Sequence, residues 1–186
     1  MNAPTRSETA DAGRVTSGIR RPVVVTVLVL VAVVVLVLDQ VSKAWAEANL
    51  TPLDQQPLLG PLLHLRLLYN SGAAWGMGSG STPVVTALQL AIALAVVLYA
   101  VLRVRSPWWT IALALVLGGA LGNIHDRLLR PPSPFHGEVV DFLELPHWPI
   151  FNVADMSVVS GAILIVILGL VGVHTDPTAP ADEAKA

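Results

Sequence analysis

Four stretches of this chain, residues 22–38, 84–102, 108–122 and 153–173, are long or apolar enough to cross a bilayer, and nothing else constrains the fold as much. A helix rising about 1.5 Å per residue needs about 20 residues to span the hydrocarbon. Of the 186 residues, 54% are hydrophobic and 13% charged, which leaves too little polar side chain to cover a soluble domain. The expectation is an all-α membrane protein: four transmembrane helices, with a small extracytoplasmic β-sheet and loop region on the outer face.

The ends of the spans carry punctuation. The first, Pro22 to Leu38, is nearly all Val and Leu with no small-residue cleavage pattern after it, so it reads as an uncleaved anchor. The third opens at Ser106-Pro107, a plausible N-cap and first helical position, and its Ala114, Gly118 and Gly122 recur every four residues, which lets a neighbouring helix approach closely. Arg6, Arg14, Arg20 and Arg21 precede the first span, and Arg103 and Arg105 sit in the tight 102–107 connection. The two long loops hold only Lys43, Arg66, Arg127 and Arg130. By the positive-inside bias both termini are cytoplasmic and loops 39–82 and 123–152 lie outside. A membrane domain at 22–175 is then flanked by cytoplasmic tails at 1–21 and 176–186, whose composition suggests disorder.

This topology gathers Asp39, Asn70, Asn123, Asp126, Arg127, Asp141, Asn152 and Asp155 at one membrane level. Ionisable groups set against hydrocarbon are costly and read first as functional. Asp155 follows Asn152 by three residues at the start of the fourth span, so alone it reads as half of a capping box. Asp141 lies between Val140 and Phe142 with no Lys or Arg within ten positions, and only a strand facing water would account for it as a structural residue. Brought together, one carboxylate in apolar surroundings and another at a helix N-terminus make the acid and base of an aspartic-type hydrolase.

Each remaining polar residue has a structural alternative. Asp39 and Lys43 form an i,i+4 acid–base pair, yet a carboxylate at the C-terminus of the first span opposes the helix dipole and needs another partner. Asp126 and Arg127 read as an ion pair closing the third helix, with Arg127 also able to reach a lipid phosphate. Asn70, Asn123 and Asn152 suit turns and caps. In the first outer loop, Leu63-His64-Leu65-Arg66-Leu67 alternates as a half-buried strand does, and its apolar face, with Trp75 and Met77, could rest on lipid, on an acyl chain or on the helices.

Other chemistries are poorly supported. The five histidines lack metal-ligand spacing and no nucleophile-elbow pattern surrounds a serine, so neither a metal site nor a serine protease is expected. Without cysteine there is no disulfide, thiolate site or Cys nucleophile. A net charge of −2 with no basic run argues against a nucleic-acid partner. A transporter would place its acids near the midplane of an inverted repeat, whereas these gather at one surface. A structural scaffold would tolerate Asp141→Asn.

Five ordered motifs then carry a family resemblance. They are Asp39-Gln40-Val41-Ser42-Lys43, Tyr69-Asn70-Ser71-Gly72-Ala73-Ala74-Trp75, the run from Gly118 to Arg127, Val139-Val140-Asp141-Phe142, and Phe151-Asn152-Val153-Ala154-Asp155. Together they resemble the lipoprotein signal peptidases (signal peptidase II) over about residues 22–173, with Trp75 where Phe is common. The resemblance implies a monomeric aspartic endopeptidase of the bacterial cytoplasmic membrane, without metal or cofactor, whose partners are membrane lipid and prolipoproteins. It would cut these just before their diacylglyceryl-modified cysteine, at the outer face. Asp141 and Asp155 stand at the family's catalytic positions. Asp39, Lys43, Asn70, Asn123, Asp126, Arg127, Asn152 and Ala154 match its other site and support positions, with Asn70 and Arg127 near the substrate, which an outer sheet would cradle.

Overall fold

A computed structural model describes residues 18–72, 82–132 and 134–178. The order is α1 (Arg21–Asn49), β1 (Gln55–Leu59), β2 (Leu63–Asn70), α2 (Thr82–Arg103), α3 (Pro107–Leu129), β3 (Val139–Glu144) and α4 (Val153–Leu170). All four helices are long and apolar enough to cross a membrane, which agrees with the expected spans. The proposed apolar contacts of Trp75 and Met77, and most of both tails, lie outside the described residues.

Helix α1 runs well past the expected end of its span. Its buried residues, Val24, Leu28, Ala32, Val35, Asp39, Lys43 and Ala46, recur every three or four positions and so form one stripe facing the protein. Asp39 and Lys43 continue the stripe that Val and Ala begin. Asp39 is therefore not at a helix C-terminus, as the sequence suggested: ten residues of α1 follow it, from Gln40 to Asn49.

Helix α3 is the centre of the bundle and packs on all three others. Its glycines make this possible: a Cβ on Gly118 would come within 2.7 Å of Val35 on α1, and one on Gly119 would come equally close to Val158 on α4. The small-residue spacing seen in the sequence thus serves close approach on two sides. Ser106 is the N-cap of α3 with Pro107 in the first turn, although its side chain makes no capping bond. At that end of the bundle, Ile19 N–H donates to Arg105 O at 2.8 Å, Arg105 N–H to Thr175 O at 2.8 Å, and Trp109 Nε1–H to Val173 O at 2.7 Å.

At the other end the three strands form an antiparallel sheet in the order β1-β2-β3. The alternation expected at 63–67 holds, with Leu65 and Leu67 buried and His64 and Arg66 half-buried. Leu65, Leu67, Val140 and Phe142 pack on Ala46 and Leu50 at the end of α1, so this sheet face is occupied by ordinary helix packing. Strand β3 does not alternate: Val139 to Phe142 are all buried, which rules out a water-facing Asp141. Pairing of Leu68 with Asp141 and of Asn70 with Val139 sets Asn70 beside Asp141.

Candidate active site

Asp141 enters from β3 and Asp155 from the first turn of α4, and both line one cavity of about 330 Å³ at the sheet end of the bundle. Asn70, Asn123 and Arg127 line it with them, and Val85, Val139, Trp148 and Ile150 supply apolar wall. Asp141 is 2% exposed. Loss of hydration on burial, and then the charge of Asp155, push its carboxyl up from 3.8 to about 7, against the lowering hydrogen bonds of Asn70 and Asn152.

Three asparagines hold the two acids. Asn152 Nδ2–H donates to Asp141 Oδ1 at 2.7 Å, and Asn70 Nδ2–H donates to Oδ2 at 2.9 Å. Asn123 Nδ2–H donates to Asp155 Oδ1 at 2.8 Å. Asn152 and Asp155 also form the capping box expected from sequence: Asp155 N–H donates to Asn152 Oδ1 at 2.9 Å, and Asn152 N–H to Asp155 Oδ2 at 3.2 Å. The cap and the candidate catalytic role are thus not alternatives. The box that starts α4 also orients the Asp155 carboxyl toward the cavity.

Behind the asparagines lies a buried ionic layer. Lys43 Nζ, fully buried, meets Asp39 Oδ2 at 2.7 Å and Asp126 Oδ2 at 2.8 Å, and donates to Asn123 Oδ1 at 3.0 Å. Buried charges persist only when paired and hydrogen-bonded, and these are. Ala154 N–H donates to Asp39 Oδ1 at 2.9 Å, which ties α4 to α1. A Cβ on Gly122 would come within 2.5 Å of Asp39 Oδ2 and 3.1 Å of Ala154 Cβ, so Gly122 and the small Ala154 let α1, α3 and α4 converge here.

Two expectations are corrected. Asp126 does not pair with Arg127; the Lys and Arg side chains it meets are Lys43 and Arg130, the latter through Arg130 Nε at 2.8 Å. Adjacent helical residues point apart, whereas residues four apart share a face. Arg127 is 3% exposed and donates to Gly72 O, so it points into the protein rather than to lipid phosphate. Its Nε and Nη1 have no hydrogen-bond partner among the described residues.

The structure thus gathers all ten residues singled out from the sequence, and it adds others. Gln40 Nε2–H bridges Asp39 Oδ2 and Asp126 Oδ1, both at 3.1 Å. Arg130 joins Asp126 to Glu47, whose Oε1 lies 2.6 Å from Arg130 Nη1. The four-residue spacing of Asp126 and Arg130 was visible in the sequence; the reach of Glu47 from α1 was not.

A family model described as signal peptidase (SPase) II matches residues 31–171, which contain every residue of this site. The chain is 45% identical over 151 residues to the lipoprotein signal peptidase of Rhodococcus jostii (strain RHA1), covering 81% of this chain and 76% of that one. It is 43% identical over 157 residues to that of Mycobacterium avium (strain 104), with 84% and 86% covered. A solved bacterial membrane enzyme, determined in meso at 2.3 Å, superposes with a TM-score of 0.72 at 31% identity, over 83% of this chain and 91% of the other. A four-span membrane fold that brings two carboxylates to one cavity, matched over most of its length, belongs to the signal peptidase II family of aspartic peptidases.

Proposed function

We propose that Asp141 and Asp155 are the catalytic acids with which this member of the signal peptidase II family removes signal peptides from prolipoproteins, cutting before the diacylglyceryl-modified cysteine. The observation that carries the assignment is the pair itself: two carboxyls facing one cavity, each held by asparagine amides, with no cation in hydrogen-bond contact with either among the described residues. A carboxyl displaced to about 7 is still protonated in about half of the molecules at neutral pH, where an ordinary carboxyl is ionised, so Asp141 takes the role of acid. Asp155, at the positive end of the α4 dipole and accepting two N–H groups, is the base. Asp155 takes a proton from water as the water oxygen bonds to the scissile carbonyl carbon, and Asp141 gives its proton to the carbonyl oxygen. Collapse of the resulting diol breaks the C–N bond, and the amine leaves with a proton from the dyad. The two acids titrate as a pair.

The other residues hold and orient. Asn70, Asn123 and Asn152 fix the carboxyls; Asp39, Lys43, Asp126 and Ala154 fix the asparagines and the start of α4; Arg127 turns its free N–H groups to substrate. The arginine bias supports a topology with both termini in the cytoplasm and the site at the outer face of the cytoplasmic membrane, where in this reading a monomer meets its lipid-embedded precursor. A cysteine at Gln56 should react with an impermeant thiol reagent on intact cells, and one at Thr178 only after lysis; the reverse pattern excludes this orientation. The function is tested by incubating purified protein with a diacylglyceryl-modified and an unmodified precursor. Cleavage of the first just before its cysteine is expected, and equal cleavage of both would remove the lipid from the recognition.

A further inference from the structure

Gln89 is a polar residue on a helix where the membrane gives it no reason to be. It lies seven residues into α2, about 10 Å below the helix start by helix rise, among Leu88, Leu90 and Ile92. Its Oε1 is buried and has no hydrogen-bond partner among the described residues. An amide oxygen buried without a donor is destabilising, and in hydrocarbon no water corrects it. The catalytic cavity and an adjoining cleft of about 230 Å³ between α2, α3 and α4 share Gln89, Asn123, Asp155 and Val159 as lining, while Ile92 and Val116 make the cleft apolar beyond them. Gln89 thus stands where the space around the dyad opens toward the bilayer interior.

The chemistry of the substrate supplies what Gln89 lacks. A peptide bond can be cut only where its segment has left the helix, and each unwound residue frees an N–H and a C=O that hydrocarbon cannot satisfy. A side-chain amide offers one acceptor and a donor, the complement of one peptide group. We propose that Gln89 is a substrate-binding residue whose Oε1 accepts a main-chain N–H of the unwound signal-peptide segment on the membrane side of the scissile bond. In this role Gln89 favours precursors that present a free N–H at that one position, because a site built to hydrogen-bond a group discriminates against an analogue lacking it.

The inference rests on the proposed function, and ester-substituted substrates separate the two. In a series of lipidated precursors, each with one peptide N–H upstream of the cleavage site replaced by an ester oxygen, wild-type protein should lose roughly three- to ten-fold in kcat/KM with one analogue. Gln89→Leu should lose about as much with the unmodified lipidated parent, keep the shape of its pH–rate profile, and be indifferent to that same ester. Wild-type kcat/KM in Gln89→Leu, or an identical ester profile in both proteins, overturns the assignment alone. The wild-type series also stands without the variant: if no ester analogue is cut less well than the parent, no acceptor of this kind operates. Failure of the wild-type protein to cut the lipidated parent would remove the functional reading as well.

Discussion

Asn152 donates Nδ2–H to Asp141 Oδ1 at 2.7 Å while its own Oδ1, 2.9 Å from Asp155 N, caps the helix that carries Asp155. One amide therefore sets the distance and orientation of two acids that come from different elements. Helix, strand and dyad share this hinge point.

Asn152→Ala should separate the structural part of that role from the chemical part. Loss of the cap costs about 1 kcal/mol of stability, and a dyad displaced by about 1 Å loses roughly 100-fold in rate. The Asn152 bond holds Asp141 down, so its removal should raise Asp141 further and move the alkaline limb of the pH–rate profile upward. A profile that keeps its limbs with only the stability lowered would confine Asn152 to capping.

The buried lysine gives a prediction about stability. Lys43 neutralises Asp39 and Asp126 where all three side chains have no exposure, so Lys43→Met leaves two carboxylates short of a partner. Removing one partner of a buried pair costs about 3–5 kcal/mol. Arg66→Met breaks an ion pair of similar length, 3.0 Å to Glu144, but with the arginine side chain 36% exposed. Its cost should stay within about 1 kcal/mol. Denaturant unfolding in detergent should show a large gap between the two variants; comparable losses would contradict the burial of the Lys43 layer.

Asp141 should lower stability in a pH window that its burial defines. Its carboxyl is near 3.8 unfolded and about 7 folded, so the folded state binds the extra proton between those values. Stability therefore falls as pH rises through that window, and the full cost is present above about 7. Asp141→Asn removes the ionisable group. The variant should melt higher than wild type at pH 8, with the gap closing toward pH 4. A gap that does not change with pH would mean that Asp141 is not displaced.

Much of this arrangement was legible in the sequence for physical reasons. Apolar length identified the four helices, the four-residue spacing of Ala114, Gly118 and Gly122 marked α3 as a packed helix, and the Asn152–Asp155 spacing marked the cap. What the sequence could not show was where α1 stops. Its apolar run ends at Leu38, but the helix continues to Asn49 because Asp39, Lys43 and Ala46 stay on the buried stripe and find partners on α3, α4 and the sheet. Partners 80 or more residues apart, such as Lys43 and Asn123 or Glu47 and Arg130, leave no local periodicity to read. The Asp126–Arg127 pair failed for the opposite reason: adjacency in sequence suggested a contact, but Asp126 turns to Lys43 and Arg130 while Arg127 turns to Gly72.

The most direct test of the account is the cleavage rate of lipidated precursor by Asp141→Asn, Asp155→Asn and the double variant, each confirmed in the membrane at wild-type level. If the two carboxyls act as one unit, each single change abolishes cleavage and the double variant is little worse than either. Cleavage by Asp141→Asn at the wild-type rate would contradict the two-acid mechanism and leave Asp141 a buried structural residue.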